Sequence, residues 1–316
     1  MGMHPGSRKV DFVAGWPQLK PMQALIPFPD ISHEVFGFDI AGFRIALRWY
    51  ALAYIAGILA GWRIGVMLTR RARLWLNESP PMQPGMVEEY MTWAILGIML
   101  GGRLGFVLFY QPAYYLAHPG EILAIWQGGM SFHGGLLGVI IASYIFALRH
   151  ALPKLSLADL IAACVAPGLF FGRIANFINA ELWGRPTTMP WGVAFPGQTA
   201  QSCPPEFGTP CGRHPSQLYE AGLEGLVLGV LLLVLVFAFG WLKHPGRISA
   251  VFFIGYGVAR FIVEYFRVAD AHFITADNPA GHVLSLGAAG VTMGQLLSLP
   301  MILLGLILWY IGRRRA

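Results

Sequence analysis

Charge is what this sequence has least of. Only 12% of its 316 residues are Asp, Glu, Lys or Arg, where soluble domains carry roughly a quarter. That scarcity excludes an ordinary water-facing surface as the default. Cysteine is scarce too. There are three, none in a CxxC pair, and no two histidines stand at ligand spacing, which argues against a metal site. No GxSxG, HExxH or Walker-type glycine loop occurs. His33-Glu34 opens SHEVFG, but no second histidine follows at the needed distance. An aromatic–basic pattern of the kind nucleic acids require is also missing, so the formal net charge of +6 points to no nucleic-acid partner. The early residues lack the apolar core of a cleavable signal peptide.

What remains is apolar. Hydrophobic residues make up 56% of the chain and the mean hydropathy is +0.57. Glycine, with 39 residues, suits membrane helices because it lets backbones approach closely. Apolar segments run at about 45–68, 86–110, 131–148, 156–178, 215–240, 247–266 and 291–311. Each approaches the length that crosses a hydrocarbon core, and in lipid such runs satisfy their backbone only as helices. The expected fold is an all-α polytopic membrane protein with about seven transmembrane helices. Residues 1–25 read as an N-terminal extension, with Met22 a candidate start. Residues 26–316 read as one transmembrane catalytic domain with an outer loop at about 179–214.

Lysine and arginine set the orientation. Arg70, Arg71 and Arg73, then Arg149 and Lys154, then Lys243 and Arg247, then Arg313, Arg314 and Arg315 mark alternate connections. The intervening loops hold none (111–130), Arg185 and Arg213 (179–214) or Arg267 (267–290). The positive-inside rule places the N-terminus outside and the C-terminus in the cytoplasm. Arg8, Lys9, Lys20 and Arg44 pull weakly the other way. The stretch FGFDIAGFRIAL (Phe36–Leu47) reads either as an interfacial segment or as an ordinary connecting loop. Cys164 reads as a packing residue. Cys203 and Cys211 share an outer loop whose oxidising location permits a disulfide, while the loop's shortness weighs against the geometry; both states stay open.

On this topology the intramembrane polar residues gather at the outer ends. Tyr256, Arg260, Glu264 and Arg267 are spaced four, four and three, a single helical stripe. Arg173 and Asn176 share a face, His133 opens the third segment, and Tyr219, Glu220 and Glu224 open the fifth. Arg103 lies midway or outward in the second, and Arg63 is the exception near the cytoplasmic end. Arginine inside a bilayer is costly, so such residues face a polar interior. The plain alternative is that Arg260 and Glu264 merely pair to hold helices together, that His133 is an interfacial histidine, and that Trp49 and Tyr50 belong to an aromatic belt. Gly134 and Gly135 admit a close backbone or a ligand, whereas Gly101, Gly102 and Gly105 read as packing glycines. Guanidinium is the natural partner of phosphate, and a nearby histidine can take a proton at neutral pH. Residue chemistry alone thus leaves lipid-headgroup chemistry and anion transport open.

Four motifs, GGMSFHGGL (128–136), GRIANFINAELWGR (172–185), RHPSQLYE (213–220) and GYGVARFIVEYFR (255–267), together resemble the bacterial prolipoprotein diacylglyceryl transferase family from about residue 26 onward. The resemblance implies transfer of the diacylglyceryl group of phosphatidylglycerol to the lipobox cysteine of preprolipoproteins. A thioether forms, glycerol phosphate is released and no cofactor takes part. It implies a multi-pass protein of the bacterial inner membrane whose site faces the outer leaflet and periplasm. By the same resemblance His133 is a candidate base, with an arginine-stabilised thiolate as the rival. Arg173, Asn176, Glu181 and Gly184 complete the signature motif, Arg260 and Glu264 form the later pair, Tyr50 matches the first-helix tyrosine, and Tyr256 matches less closely. Substrate contacts are expected from Arg173, Asn176, Glu181, Gly184, Arg260, Tyr256, Gly134 and Gly135. Ala180 stands where many members have glycine, and the Cys203–Cys211 loop is richer in proline and cysteine than the family pattern. An anion transporter or channel is the main alternative, but no internal repeat supports it. A non-enzymatic scaffold leaves the His–Arg–Asn–Glu set unexplained.

Overall fold

The computed structural model describes residues 25–40, 42–269, 273–275, 277–286 and 289–314. Nearly all of the expected 1–25 extension, and Arg315, fall outside them. A two-residue strand β1 (Ile26–Pro27) leads to a hairpin of β2 (Glu34–Ile40) and β3 (Phe43–Arg48). Helix α1 (Trp49–Thr69) follows without a linker, then α2 (Met86–Phe109), a short α3 (Pro112–Ala117), α4 (Phe132–Arg149) and α5 (Lys154–Ile178). After β4 (Val193–Ala194) and a one-turn α6 (Gln198–Gln201), α7 (Ser216–Glu220) continues through a π-helical stretch at Ala221–Val227 into α8 (Leu228–Phe237). Helix α9 (Arg247–Val263), the strand pair β5 (His282–Leu286) and β6 (Ala289–Thr292), and α10 (Met293–Arg314) complete the chain.

Helices occupy every anticipated apolar segment. Five are long and apolar enough to cross a membrane: α1, α2, α5, the continuous Ser216–Phe237 helix and α10. Helices α4 and α9 are shorter, at 18 and 17 residues. One expectation needs correcting. Phe36–Leu47 is not an ordinary connecting loop but most of an antiparallel hairpin, so the first helix begins at Trp49 rather than at residue 45. Alternating apolar residues and a Gly42 turn at φ +81° account for it.

The helices pack in pairs: α2 on α4, α1 on α5 and α9 on α10. Glycines set the first contact. A Cβ on Gly101 would come 2.4 Å from the Gly134 carbonyl oxygen, and one on Gly138 would come 2.0 Å from that of Gly97. Small residues four apart on both helices let the backbones touch, which lipid alone cannot enforce. Helix α4 meets α5 only sparsely, leaving a gap between the α2–α4 pair and the rest.

The tight apolar core lies at the end of the bundle that carries the basic loops, around Leu68, Trp75, Phe146, Leu157, Leu232, Leu242 and Ile248. There Asp159 of α5, fully buried, accepts hydrogen bonds from the backbone N–H groups of Gly246 and Ser249 at 2.6 and 2.7 Å and from the Ser249 hydroxyl. A carboxylate borrowed from α5 thus caps α9, whose own preceding residue, Gly246, cannot. With the apolar seal at one end, the polar residues are left to the other.

Candidate functional site

Two polar clusters meet at that other end. The first joins α1, α5 and the turn after α5. The Tyr50 hydroxyl donates to Glu181 Oε1, and Asn176 Nδ2 donates to the Tyr50 hydroxyl and, at 2.7 Å, to Glu181 Oε1. Local sequence arranges this. The chain turns at Asn179, the C-cap of α5, and reverses through Ala180 at φ +51° and Leu182 at φ +55°, which swings Glu181 back toward Asn176. A left-handed position is where glycine costs least, which accounts for the glycine expected at Ala180.

The second cluster is ionic. Glu220, fully buried at the end of α7, receives Arg173 Nε at 2.8 Å, Arg260 Nη1 at 2.6 Å and Arg267 Nη1 at 2.5 Å. Arg260 also holds Glu264 at 2.8 Å, one turn along α9, and Arg267 Nε lies 3.6 Å from the same carboxylate. Glu224, equally buried, lies 3.8 Å from Arg173 Nη2. Three guanidiniums therefore face the three carboxylates of Glu220, Glu224 and Glu264. Arg173 and Asn176, one turn apart on α5, connect this cluster to the first. Gln217 reinforces the link by donating from Nε2 to the Glu181 carbonyl at 2.5 Å.

The stripe anticipated on the sixth segment is real: Arg260, Glu264 and Arg267 act on one network, and buried Tyr256 lies a turn behind Arg260. Glu220, expected with Glu224 among the polar residues at the outer ends, is not one of the expected site residues, and neither are Glu224 and Arg267. The importance of Glu220 comes from meeting arginines of two other helices, and the only hint in sequence is a second glutamate one turn on, at Glu224.

Gly184 has a backbone role. Its N–H donates to the His214 carbonyl at 2.8 Å, and an added Cβ would stand 2.4 Å from the Phe266 carbonyl oxygen. It brings the outer loop against the end of α9, beside Arg267. Gly134 serves the α2–α4 contact, while Gly135 lines a cavity. His133 is exposed in the first turn of α4, which the Ser131 hydroxyl caps by accepting from the Gly134 N–H at 3.1 Å.

That cavity, of about 830 Å³, fills the gap between the α2–α4 pair and α5–α9. Ile98, Leu136, Val139, Ile161 and Leu169 make its walls predominantly apolar, and Gly102, Ser131, Gly135 and Tyr256 border it near the polar end. Arg173 and Arg260 sit one helical turn, about 5.4 Å, beyond the lining residues Leu169 and Tyr256 on their own helices. An arginine cluster thus stands at the head of an apolar space, and His133 lies between two of its lining residues.

Beyond the site the outer loop is firmly built. Cys203 and Cys211, left open by the sequence, form a disulfide with Cα atoms 6.3 Å apart. Arg213 is buried, with its guanidinium 4.0 Å from the Trp183 ring centre, donating to the carbonyls of Ala200 at 2.5 Å and Ser202 at 3.0 Å. His214 stacks edge-on against Phe266, and burial holds its pKa below the ordinary imidazole value. Arg103 is likewise structural: it donates to the carbonyls of Glu121, Ile122 and Gly128 at 2.6–2.7 Å and clamps the α3–α4 loop.

Comparison with known proteins gives the chain a family. The family model described as prolipoprotein diacylglyceryl transferase matches residues 38–311. A phosphatidylglycerol–prolipoprotein diacylglyceryl transferase of Ruegeria pomeroyi is 63% identical over 295 residues, 93% of this chain and 99% of that protein. The protein of that name from Roseobacter denitrificans is 60% identical over 294 residues, again 93% and 99%. That from Rhizobium leguminosarum is 47% identical over 300 residues, 95% and 98%. With both chains covered almost end to end, the chain belongs to the prolipoprotein diacylglyceryl transferase family.

Proposed function

We propose that this protein transfers the diacylglyceryl group of phosphatidylglycerol to the lipobox cysteine of preprolipoproteins, the first step of lipoprotein maturation. The observation that carries the reading is the arginine cluster at the head of the apolar cavity. Acyl chains occupy the cavity and the headgroup phosphate meets Arg173 and Arg260, which exchange carboxylate for phosphate oxygens of similar geometry. The cysteine sulfur forms a bond to the glyceryl carbon. The carbon–oxygen bond to phosphate breaks, and its electron pair leaves with glycerol phosphate. The guanidiniums stabilise the charge growing on that leaving group. His133 takes the thiol proton, because the thiolate is the nucleophile. Asn176, held by Tyr50 and Glu181, orients a headgroup oxygen, and Glu264 keeps Arg260 aimed.

The five long helices and the shorter α4 and α9 all cross the bilayer in this reading, with the N-terminus outside. The positive loops then face the cytoplasm, and both clusters face the outer leaflet and periplasm of the inner membrane. Anion transport, the earlier alternative, finds no support among relatives that bear transferase names over the whole length.

Purified protein mixed with phosphatidylglycerol and a single-cysteine lipobox peptide tests the reading by mass spectrometry. The expected product is the diacylglyceryl adduct, lost in Arg173→Ala and His133→Ala. No adduct from folded parent protein would overturn the assignment. A pH–rate profile of His133→Gln separates the base from its rival: an acidic limb unchanged from the parent would leave the arginines alone to stabilise the thiolate.

A further inference from the structure

The β2–β3 hairpin has a composition that its position makes meaningful. Its register pairs Phe36 with Leu47, Phe38 with Ile45 and Ile40 with Phe43, so one face is wholly apolar. The other face carries Gly37 opposite Ala46 and Asp39 opposite Arg44. Arg44 closes that face on itself, reaching Glu34 at 2.7 Å and Asp39 at 3.4 Å. Phe36, Phe38, Ile40, Phe43 and Ile45 are between 46% and 76% exposed. Two strands alone do not sustain a fold in water, and an apolar face of this size demands a cover.

Continuity identifies the cover. Arg48 ends β3 and Trp49 begins α1, a helix long and apolar enough to cross the membrane. With no linker between them, the hairpin cannot leave the level at which α1 enters the bilayer. Trp49 fixes the junction by donating from its indole N–H to the Ser32 carbonyl at 2.9 Å. His33 Nδ1 lies 3.2 Å from Asn179 Oδ1, which ties the root of the hairpin to the end of α5, beside Glu181. Arg44 and Arg48 are exposed, as cationic side chains at headgroup height would be.

We propose that the β2–β3 hairpin is an interfacial anchor whose Phe36–Phe38–Ile40–Phe43–Ile45–Leu47 face lies in the boundary between lipid headgroups and acyl chains. It holds the polar clusters at headgroup depth through Trp49 and the His33–Asn179 contact. That the leaflet is the outer one rests on the orientation proposed above.

The test compares adjacent positions. Full-length protein with Cys164→Ala, carrying either Phe38→Cys or Asp39→Cys, is labelled with a nitroxide and placed in vesicles of phosphatidylglycerol and phosphatidylethanolamine. Power saturation then compares collisions with oxygen, which partitions into lipid, and with a water-soluble nickel chelate. The label at 38 should favour oxygen, at a depth of about 5–10 Å, and the label at 39 should favour nickel. Two results would overturn the anchor. One is nickel-favoured collision at both positions. The other is dipolar broadening at 38 that vanishes on dilution with unlabelled protein, which would make a second copy the cover. The measurement needs no turnover, so failure of the transferase reading would leave it untouched. Reduction of the label by external ascorbate in oriented vesicles reads the leaflet separately.

Discussion

Replacing Glu220 by glutamine removes a negative charge from the point where Arg173, Arg260 and Arg267 converge. The loss is not shared equally. Arg260 keeps Glu264 at 2.8 Å and Arg267 keeps the same carboxylate at 3.6 Å, whereas Arg173 keeps only Glu224 at 3.8 Å. Breaking one side of a buried ion pair costs about 3–5 kcal/mol, and the surviving partners place this case near the lower end. If about 3 kcal/mol appears as misplacement of Arg173 in the transition state, kcat/KM falls on the order of 10²-fold, at 1.36 kcal/mol per decade. Glu220→Asp keeps the charge on a shorter arm and should fall between the two. The assay is the rate of adduct formation on the lipobox peptide, with a thermal midpoint measured alongside. Glu220→Gln should lose both rate and stability, and Glu220→Asp should recover part of each. Wild-type rate and midpoint in Glu220→Gln would refute the idea that this carboxylate organises the arginines.

Other outcomes follow from single features. Gly134→Leu should abolish stable folding, because even its Cβ would sit 2.3 Å from the Gly101 carbonyl oxygen; size-exclusion profiles in detergent would show aggregation, and a monodisperse variant would count against the close helix contact. Ala180→Gly relieves a left-handed residue at φ +51° and should stabilise by roughly 0.5–1 kcal/mol, with transfer activity retained. Removing the disulfide by Cys203→Ser with Cys211→Ser opens a loop of sequence separation 8, worth roughly 2–3 kcal/mol of local stability; faster hydrogen exchange in the loop with normal turnover would make it a brace rather than part of the site. His214 gives a pH dependence. Its folded pKa is lowered by burial, so its contribution is complete above the unfolded imidazole value of about 6.5 and is lost as pH falls through the lower folded value. The outer loop should therefore open in acid, and His214→Gln should flatten that dependence in a hydrogen-exchange series.

The sequence exposed what depends on periodicity and composition. Apolar runs located the helices, and the four-four-three spacing from Tyr256 to Arg267 put those side chains on one stripe whatever the neighbours were. What depends on meetings between distant segments stayed hidden. Glu220 looked like one of two glutamates at a helix entrance, and only the approach of α5 and α9 makes it the hub. Gly134 had two readings until the glycines of α2 appeared opposite it. The hairpin was missed because its alternating pattern merges into the apolar start of α1. The disulfide turned on a distance between two cysteines that no spacing rule supplies.

The balance of three guanidiniums against Glu220, Glu224 and Glu264 has a consequence for how an anion is received. With all three carboxylates ionised, such a site has no spare positive charge with which to pull a phosphate from a distance. In the proposed reaction a headgroup enters by exchange, taking Arg173 and Arg260 from Glu220, and the energy of capture is the difference between two similar ionic contacts. On that reading the same carboxylate reclaims the arginines when glycerol phosphate departs. Headgroup binding would then be shallow, release would be assisted from within, and most of the grip on the substrate would pass to its acyl chains. An enzyme built this way is suited to a donor lipid that is abundant in its own membrane.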